Sequence, residues 1–422
     1  MKLTKTIKIK VGRLSNNKTN LLDVLLRKNI KAINFCLNKV KKGKTITHDL
    51  VYKDLRELNL PATVIHGTRA KSVEIIKLYK KRKGKKTFPI LNNSAVRFDN
   101  QIVKLRHTDN KLYPEFVSLL YKAGQSGKYD NRIELPLIIN SDYQKEIIQQ
   151  IGTNYKLGST ELVKKGKDYF IHISYSKEIS LPIPDKSFSP IGIDIGINNL
   201  AVSVAQSGVK FFSGERINWK NEFFRRERNK LQQNFAIQEI KRMKGRQSRY
   251  NDFYRHNIAK EVVEQAMKEE NPVIVMEGLT HILETTEVRK NQRAKLHNWI
   301  FRKLQSAIHY KANWEGIPVV YIDPYNTSQT CSKCGELNKR EKHTYKCKSC
   351  GFECNSDYNA GRNLQHLFLA KCQEEQATIN LALNSIKPEL KAEKDDIVGQ
   401  FTRKEVAISP KTEVSGILAN VL

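Results

Sequence analysis

Two Cys-x2-Cys pairs, Cys331/Cys334 and Cys347/Cys350, lie twelve residues apart, and a glycine follows each (Gly335, Gly351). No other feature constrains the folding of this chain so tightly. One Cys-x2-Cys turn lets two thiolates grip a tetrahedral ion, and a second turn completes the four positions. The spacing predicts one structural Zn2+ held by Cys331, Cys334, Cys347 and Cys350, with two disulfides as the alternative. Four thiolates leave no open coordination position, which argues against a catalytic zinc. Cys354 follows four residues after the last ligand and reads as a packing residue. His343 is a weaker ligand candidate still. The loop GELNKREKHTYK carries four Lys/Arg and an aromatic residue. Phosphate contact and base stacking there are weighed against an ordinary solvated loop.

The rest of the composition fits this picture. Five of the seven cysteines are clustered, with Cys36 and Cys372 isolated, unlike a secreted disulfide framework. A reducing compartment is expected. The net charge of +31 over 422 residues points to a polyanion, nucleic acid first. A basic membrane-surface protein is the rival, yet no amphipathic Trp/Leu-rich anchor stands out. The start, MKLTKTIKIKVG, lacks the apolar stretch of a signal peptide, and no run of 18 apolar residues occurs. Residues 371–422 hold 7 Lys/Arg and 8 Asp/Glu, so the excess charge belongs to residues 1–370. That last segment is polar and aperiodic and reads as a weakly ordered tail.

Along the chain, LTKTIKIKV alternates as a strand, and residues 20–85 turn helical with Lys/Arg-rich outer faces. From residue 87 to about 180 come short β-like segments: AVRFDN, QIVKLR, NRIELPLII, TNYKLGSTELVKK and DYFIHISYS. They predict a small antiparallel sheet or barrel that takes in the first strand and carries the helices as an insertion. The stretch SLPIPDKSFSP, residues 180–190, is a linker. Apolar strands then alternate with helices: IGIDIGINNLAVSVA, a charged helical stretch from Trp219 to Glu270, PVIVMEGLT, NWIFRKLQSAIHYKANWEG and PVVYIDP. This alternation predicts an α/β domain with a partly parallel sheet.

Asp194 stands within the apolar strand IGIDIGI, and Glu277 ends PVIVME. An unpaired buried carboxylate is costly, so each needs a partner. A turn cap or a lysine partner is one explanation. Carboxyl ends of strands in open α/β sheets are also where sites form. Asp357, in CNSDYNAGRN, is a candidate helix N-cap. Taken together in so basic a chain, the three acids suggest oxygen ligands for Mg2+, with two ions about 3.5–4 Å apart serving phosphoryl chemistry.

The segments GIDIGINNLAVSV, VIVMEGLT, LHNWIFRKLQSAIHYKANWEGIPVVYIDPYNTSQTCSKCG and YKCKSCGFECNSDYNAGRNL lie in order over residues 190–366. With them, the chain resembles the TnpB family of transposon-encoded RNA-guided nucleases, related to the miniature type V CRISPR effectors. The resemblance implies an α/β RuvC-like ribonuclease-H fold with an inserted four-cysteine finger. It also implies an N-terminal wedge-type β-barrel carrying a helical recognition region. The expected parts are residues 1–14 and 86–186 for the barrel, 15–85 for the helical region, 187–324 and 353–370 for the nuclease domain, 325–352 for the finger and 371–422 for the tail.

By motif, Asp194, Glu277 and Asp357 match the family's catalytic acids, holding Mg2+ and leaving a 5′-phosphate and a 3′-hydroxyl. Arg362, one turn on, is a candidate phosphate contact. A guide RNA from the transposon end and a double-stranded DNA target are the implied partners, in prokaryotic cytoplasm at the nucleoid, with no membrane and a monomer favoured. An RNA–DNA duplex is held by backbone and shape. Arg225, Arg226, Arg228, Lys230, Lys241, Arg242, Lys244, Arg246 and Arg249 would suit such a channel, against a merely solvated helix face. Many relatives carry alanine where this chain has Gly361, a departure costing up to about 1 kcal/mol of helix propensity. The alternatives are a non-catalytic nucleic-acid-binding regulator, a CRISPR-associated miniature effector, and a direct DNA-strand transferase.

Overall fold

The computed structural model describes residues 1–43, 45–82, 87–109, 112–122, 131–278, 300–323, 327–338 and 343–385. The chain forms two compact units, Met1–Glu178 and Ile179–Leu422.

In the first unit, strand β1 (Lys2–Val11) buries Ile7, Ile9 and Val11 on one side and leaves Thr6 and Lys8 exposed. Helix α1 (Asn16–Lys41) starts four residues earlier than the sequence suggests, because Ser15 accepts a hydrogen bond from the Lys18 amide. Its buried stripe Leu22, Leu25, Leu26, Asn29, Ile33, Cys36 and Leu37 follows the helical period. Helices α2 (His48–Leu55) and α3 (Ala62–Lys81) complete the inserted helical part.

Strands β2 (Val96–Phe98), β3 (Val103–His107), β4 (Glu115–Leu120), β5 (Arg132–Ile138), β6 (Lys156–Lys165) and β7 (Asp168–Glu178) join β1 in a seven-stranded sheet. Its order is β2-β6-β7-β1-β5-β4-β3, antiparallel throughout. The expected barrel is therefore corrected: among the described residues no ladder joins β2 to β3, and the sheet has two edges. Only residues 99–102 separate these edge strands in sequence. Laid flat, seven strands would hold their edges about 29 Å apart. The Phe98–Val103 link reaches at most about 18 Å, so the sheet must curl. The covalent chain brings together what hydrogen bonds leave open. Strand β4 and helix α4 (Asp142–Gln150), capped by Ser141, are additions the sequence pattern did not reveal.

In the second unit, β8 (Ser189–Asp194), β9 (Asn199–Ala205), β10 (Gly208–Ser213), β11 (Pro272–Glu277) and β12 (Val319–Ile322) form a sheet of order β10-β9-β8-β11-β12. The β8–β9–β10 part is antiparallel, and β8–β11–β12 is parallel. The charged stretch is two helices, α5 (Glu215–Gln233) and α6 (Ile237–Ala266), reversing at Phe235 with φ 52°. Helix α7 (Ile300–Trp314) precedes β12.

Alternation assigns the two faces of this sheet. Ile191, Ile193, Ile274 and Met276 pack with Ile258, Val262 and Val263 of α6 and with Leu304 and Ile308 of α7. Val273 and Val275 pack on the opposite side with Leu364 and Phe368 of α8 (Ser356–Ser385). Each such buried aliphatic contributes about 1.5–3 kcal/mol. Helix α8 reaches Ser385, so the first fifteen residues of the expected tail are helical; residues 386–422 lie outside the described residues. The aperiodic reading missed this because a helix anchored by its first turns needs no amphipathic pattern in its last ones. Among the described residues, no helix is long and apolar enough to cross a membrane.

Candidate active site and metal centre

Asp194 and Glu277 are the last residues of neighbouring parallel strands. Ile193 pairs with Met276, so the next residue on each strand, Asp194 and Glu277, stands side by side at the carboxyl edge. Parity decides which way they point. Successive side chains alternate, so Glu277 shares the face of Val273 and Val275, and Asp194 that of Gly192. This is the face covered by α8, and Asp357 lies in the first turn of α8. Three acids 83 and 80 residues apart in sequence thus meet one face and one end of one sheet.

Asp357 is not the cap that the sequence allowed. The Asn355 carboxamide oxygen accepts from the amides of Asp357 and Tyr358, at 2.9 and 3.2 Å, and does the capping. The Asp357 carboxylate instead accepts from Asn199 Nδ2 at 2.8 Å, from the start of β9. Thr327 Oγ1 donates to Glu277 Oε1, and Gln305 Nε2 donates to the Glu277 carbonyl at 2.7 Å. All three acids are half-buried. Their carboxyl oxygens do not all lie within 4.8 Å of one another; among the described residues only the four cysteines form such a group.

Helix α8 approaches the sheet closely because glycine faces glycine. A Cβ on Gly192 would stand 1.9 Å from the Gly361 carbonyl oxygen, and one on Gly361 would stand 2.7 Å from Val204 Cγ2. Gly361 is therefore not merely a weak helix former; it lets α8 lie against β8. Buried Gln365 fixes the helix further, donating to the carbonyls of Pro190 and Val204 at 2.7 and 2.9 Å. Arg362, expected to face a phosphate, donates to Gln365 Oε1 at 2.9 Å and is half-buried.

The four thiols converge. Cys331 Sγ lies 3.7 Å from Cys350 Sγ, and Cys334 Sγ lies 3.6 Å from Cys347 Sγ. No disulfide is formed. Four sulfurs about 2.3 Å from one tetrahedral ion would sit about 3.8 Å apart, so the donors fit zinc. The Cys347 thiol is pulled down to about 6, first by the Cys350 backbone N–H and then by that of Ser349.

Strands β13 (Thr344–Lys346) and β14 (Glu353–Asn355) form the finger's hairpin, pairing Tyr345 with Cys354. Cys354 packs against Cys331, Tyr345 and Cys347. The expected stacking role for the finger's aromatic is corrected. Tyr345 is fully buried, its hydroxyl donates to Gln329 O at 3.2 Å, and burial foremost pushes it up to about 12. An aromatic beside four thiols packs inward, because the finger has almost no other core. His343 is outside the thiol group and lies 3.2 Å from Asn198 Nδ2. Residues 339–342 of the loop, with three of its four basic side chains, lie outside the described residues.

The basic candidates divide into two groups. Arg225 and Arg226 pair with Glu222 at 2.6 and 3.1 Å, Lys230 pairs with Glu227 at 3.0 Å, and Arg228 donates to Gln247. Arg225 first, then Arg226, holds the Glu222 carboxyl at about 2. Lys241, Arg242, Lys244, Arg246 and Arg249 on α6 are exposed. Sequence reading missed an aromatic pair on α5. Trp219 is 64% exposed and stacks on Phe223 at 6.1 Å, with Lys220 Nζ 4.6 Å from the Phe223 ring. The i, i+4 spacing in WKNEF was the available signal. Thr327, Asn359 and Asn363 were also missed, since no periodicity marks a polar residue that bonds across the fold.

Residues 301–364 match the family model described as Cas12f1-like, TNB domain. The chain is 32% identical over 242 residues to TnpB-like protein MJ0751 of Methanocaldococcus jannaschii, covering 54% of this chain and 84% of that protein. It is 26% identical over 353 residues to the CRISPR-associated endodeoxyribonuclease Cas12f1 of Sulfoacidibacillus thermotolerans, covering 76% and 81%. Its fold is similar to that of a chain in the cryo-EM structure of a Cas12f1–sgRNA–target DNA complex. The TM-score is 0.61 at 15% identity, covering 86% of this chain and 99% of that chain.

Proposed function

The chain belongs to the TnpB family, and from that premise we propose that it is an RNA-guided DNA endonuclease whose RuvC-like site is built from Asp194, Glu277 and Asp357. The observation that carries the reading is the β8–β11 register, which sets Asp194 beside Glu277 on the face that α8 covers with Asp357 at its head. The mixed five-stranded sheet supports a ribonuclease-H-type domain.

Carboxylates offer the hard oxygen donors that suit Mg2+. Asp194 and Glu277 end neighbouring parallel strands on the face that α8 covers, so with Asp357 they could share such ions. When bound, such ions activate water, hold the scissile phosphate and stabilise the leaving oxygen. The chain's own part is to orient the acids. Asn199 holds Asp357, Gln305 fixes the Glu277 backbone, and Gly192 with Gly361 sets the depth of α8. Arg362 keeps further N–H donors for a phosphate beyond the one given to Gln365.

One Zn2+ at Cys331, Cys334, Cys347 and Cys350 would have a structural role. The exposed cations Lys241, Arg242, Lys244, Arg246 and Arg249 on α6 suit the sugar–phosphate backbone of a guide–target duplex. Arg225, Arg226 and Lys230 would exchange exposed helix ion pairs, weak and screened by salt, for phosphates.

The test supplies guide RNA recovered from the native locus. Asp194→Ala should abolish Mg2+-dependent cleavage of the matched DNA while RNA binding stays near wild type. Cleavage surviving that substitution, or recovery of no defined RNA, would overturn the reading. The recovered RNA also separates the two guide sources, a transposon end or a CRISPR array.

A further inference from the structure

The Glu277 carboxylate meets a hydroxyl from a segment distant in sequence. Thr327 lies between β12 and Cys331, is 3% exposed, and donates from Oγ1 to Glu277 Oε1. Its own backbone is clamped. Asn363 Nδ2 donates to the carbonyls of Thr327 and Thr330, both at 2.7 Å. Asn359 Nδ2 adds a bond to Thr330 O at 2.7 Å, and Asn359 Oδ1 accepts from the Ser332 amide at 2.9 Å. Asn359 and Asn363 are 0% and 4% exposed and stand one turn apart on α8. Ser332 immediately follows the first zinc-spacing cysteine, Cys331.

We infer that Thr327 is the positioning residue for the Glu277 carboxylate, held in place by Asn363 and Asn359 across the strap that leads into the finger. The inference rests on the proposed role of Glu277 as a cation ligand. A glutamate has more side-chain torsions than an aspartate and is the freest of the three acids to turn. A carboxylate offers about four lone-pair sites, so a donor at Oε1 can fix its plane while a cation binds elsewhere on the group. The helix that carries Asp357 clamps Thr327, so α8 sets two of the three acids together. An outer-shell partner of this kind is commonly worth 10–100-fold in metal affinity.

The test uses the full chain with Mn2+ as the probe, reading affinity by electron paramagnetic resonance, alongside the Mg2+ concentration needed for half-maximal cleavage. Thr327→Val should weaken Mn2+ binding about 10-fold or more and raise the Mg2+ requirement to match. Thr327→Ser, which restores the hydroxyl, should stay within about 3-fold of wild type. Thr327→Ala, which needs no added volume, is run beside the valine variant, and melting temperatures establish that each folds. Thr327→Val and Thr327→Ala binding Mn2+ as wild type, while Glu277→Gln has lost binding and cleavage, overturns this inference alone. Glu277→Gln behaving as wild type overturns the inference together with the active-site reading.

Discussion

The contact between Gly192 and Gly361 permits a sharp test of how α8 is seated. In Gly192→Ala the new Cβ would stand 1.9 Å from the Gly361 carbonyl oxygen and 2.8 Å from its carbon. Ordinary contact needs about 3.5 Å, so helix and strand must part by roughly 1.5 Å. Side-chain rotation cannot relieve this, because the obstructing atoms are backbone. Parting the layers loosens buried Leu364 and Phe368 from Val273 and Val275. It also stretches the two bonds by which Gln365 satisfies the Pro190 and Val204 carbonyls. Overpacking costs about 1–3 kcal/mol and an unsatisfied buried polar group about 1–3 more. The sum, roughly 2–6 kcal/mol, reaches the severe end for one substitution.

Asp357 rides on the displaced helix, and a misplacement of about 1 Å at a reacting centre can cost on the order of 100-fold. Gly192→Ala should therefore melt well below wild type and cleave guided DNA at least about 100-fold more slowly where it still folds. Gly361→Ala is the internal control. Its Cβ would stand 2.7 Å from the side-chain atom Val204 Cγ2 and no nearer than 3.4 Å to backbone, at Gly192 O, and it recovers about 1 kcal/mol of helix propensity. Its net loss should stay within about 2 kcal/mol. Equal melting of Gly192→Ala and wild type, or a larger loss in Gly361→Ala, would refute the reasoning.

Two further predictions concern other parts of the second unit. Cys347→Ser should empty the zinc site and loosen the strap around Ser332 and Asn359. Cleavage should then fall along with stability, read by bound zinc, melting and product formation; normal melting and intact cleavage would show that finger and site are uncoupled. His309 stacks on Tyr321 at 5.8 Å, and burial lowers it below its ordinary 6.5. A histidine that is harder to protonate when folded gives stability that is whole above pH 6.5 and lost as pH falls through the lowered value. Melting between pH 7 and 5 should fall less in His309→Phe, and equal slopes would contradict this.

How much of this was legible in the sequence varies with the range of the interactions. The zinc-spacing cysteines were legible because a Cys-x2-Cys turn is a local device. Asp194 and Glu277 stood out because a charge in an apolar strand conflicts with its neighbours. Strands β8, β9, β11 and β12 followed from apolar runs between helices. Strand β4 did not, since EFVSLL has no alternation to separate it from a buried helical turn. The Trp219–Glu270 stretch gave its helical period but not its reversal at Phe235, where no glycine or proline marks the turn.

The sequence by itself determined which residues carry unusual chemistry: four thiols at ligand spacing, three acids in apolar or helix-start settings, and a basic excess confined to residues 1–370. Only the tertiary structure decided how they are arranged. The open ladder of the N-terminal sheet depends on which strands pair. The capping of α8 by Asn355 leaves Asp357 to Asn199. The inward packing of Tyr345 excludes base stacking. The clamp from Asn363 through Thr327 to Glu277 spans 36 and then 50 residues. Local pattern records propensity and periodicity, which act over a few residues. Register, face and hydrogen-bond partner are set by packing between segments far apart in the chain.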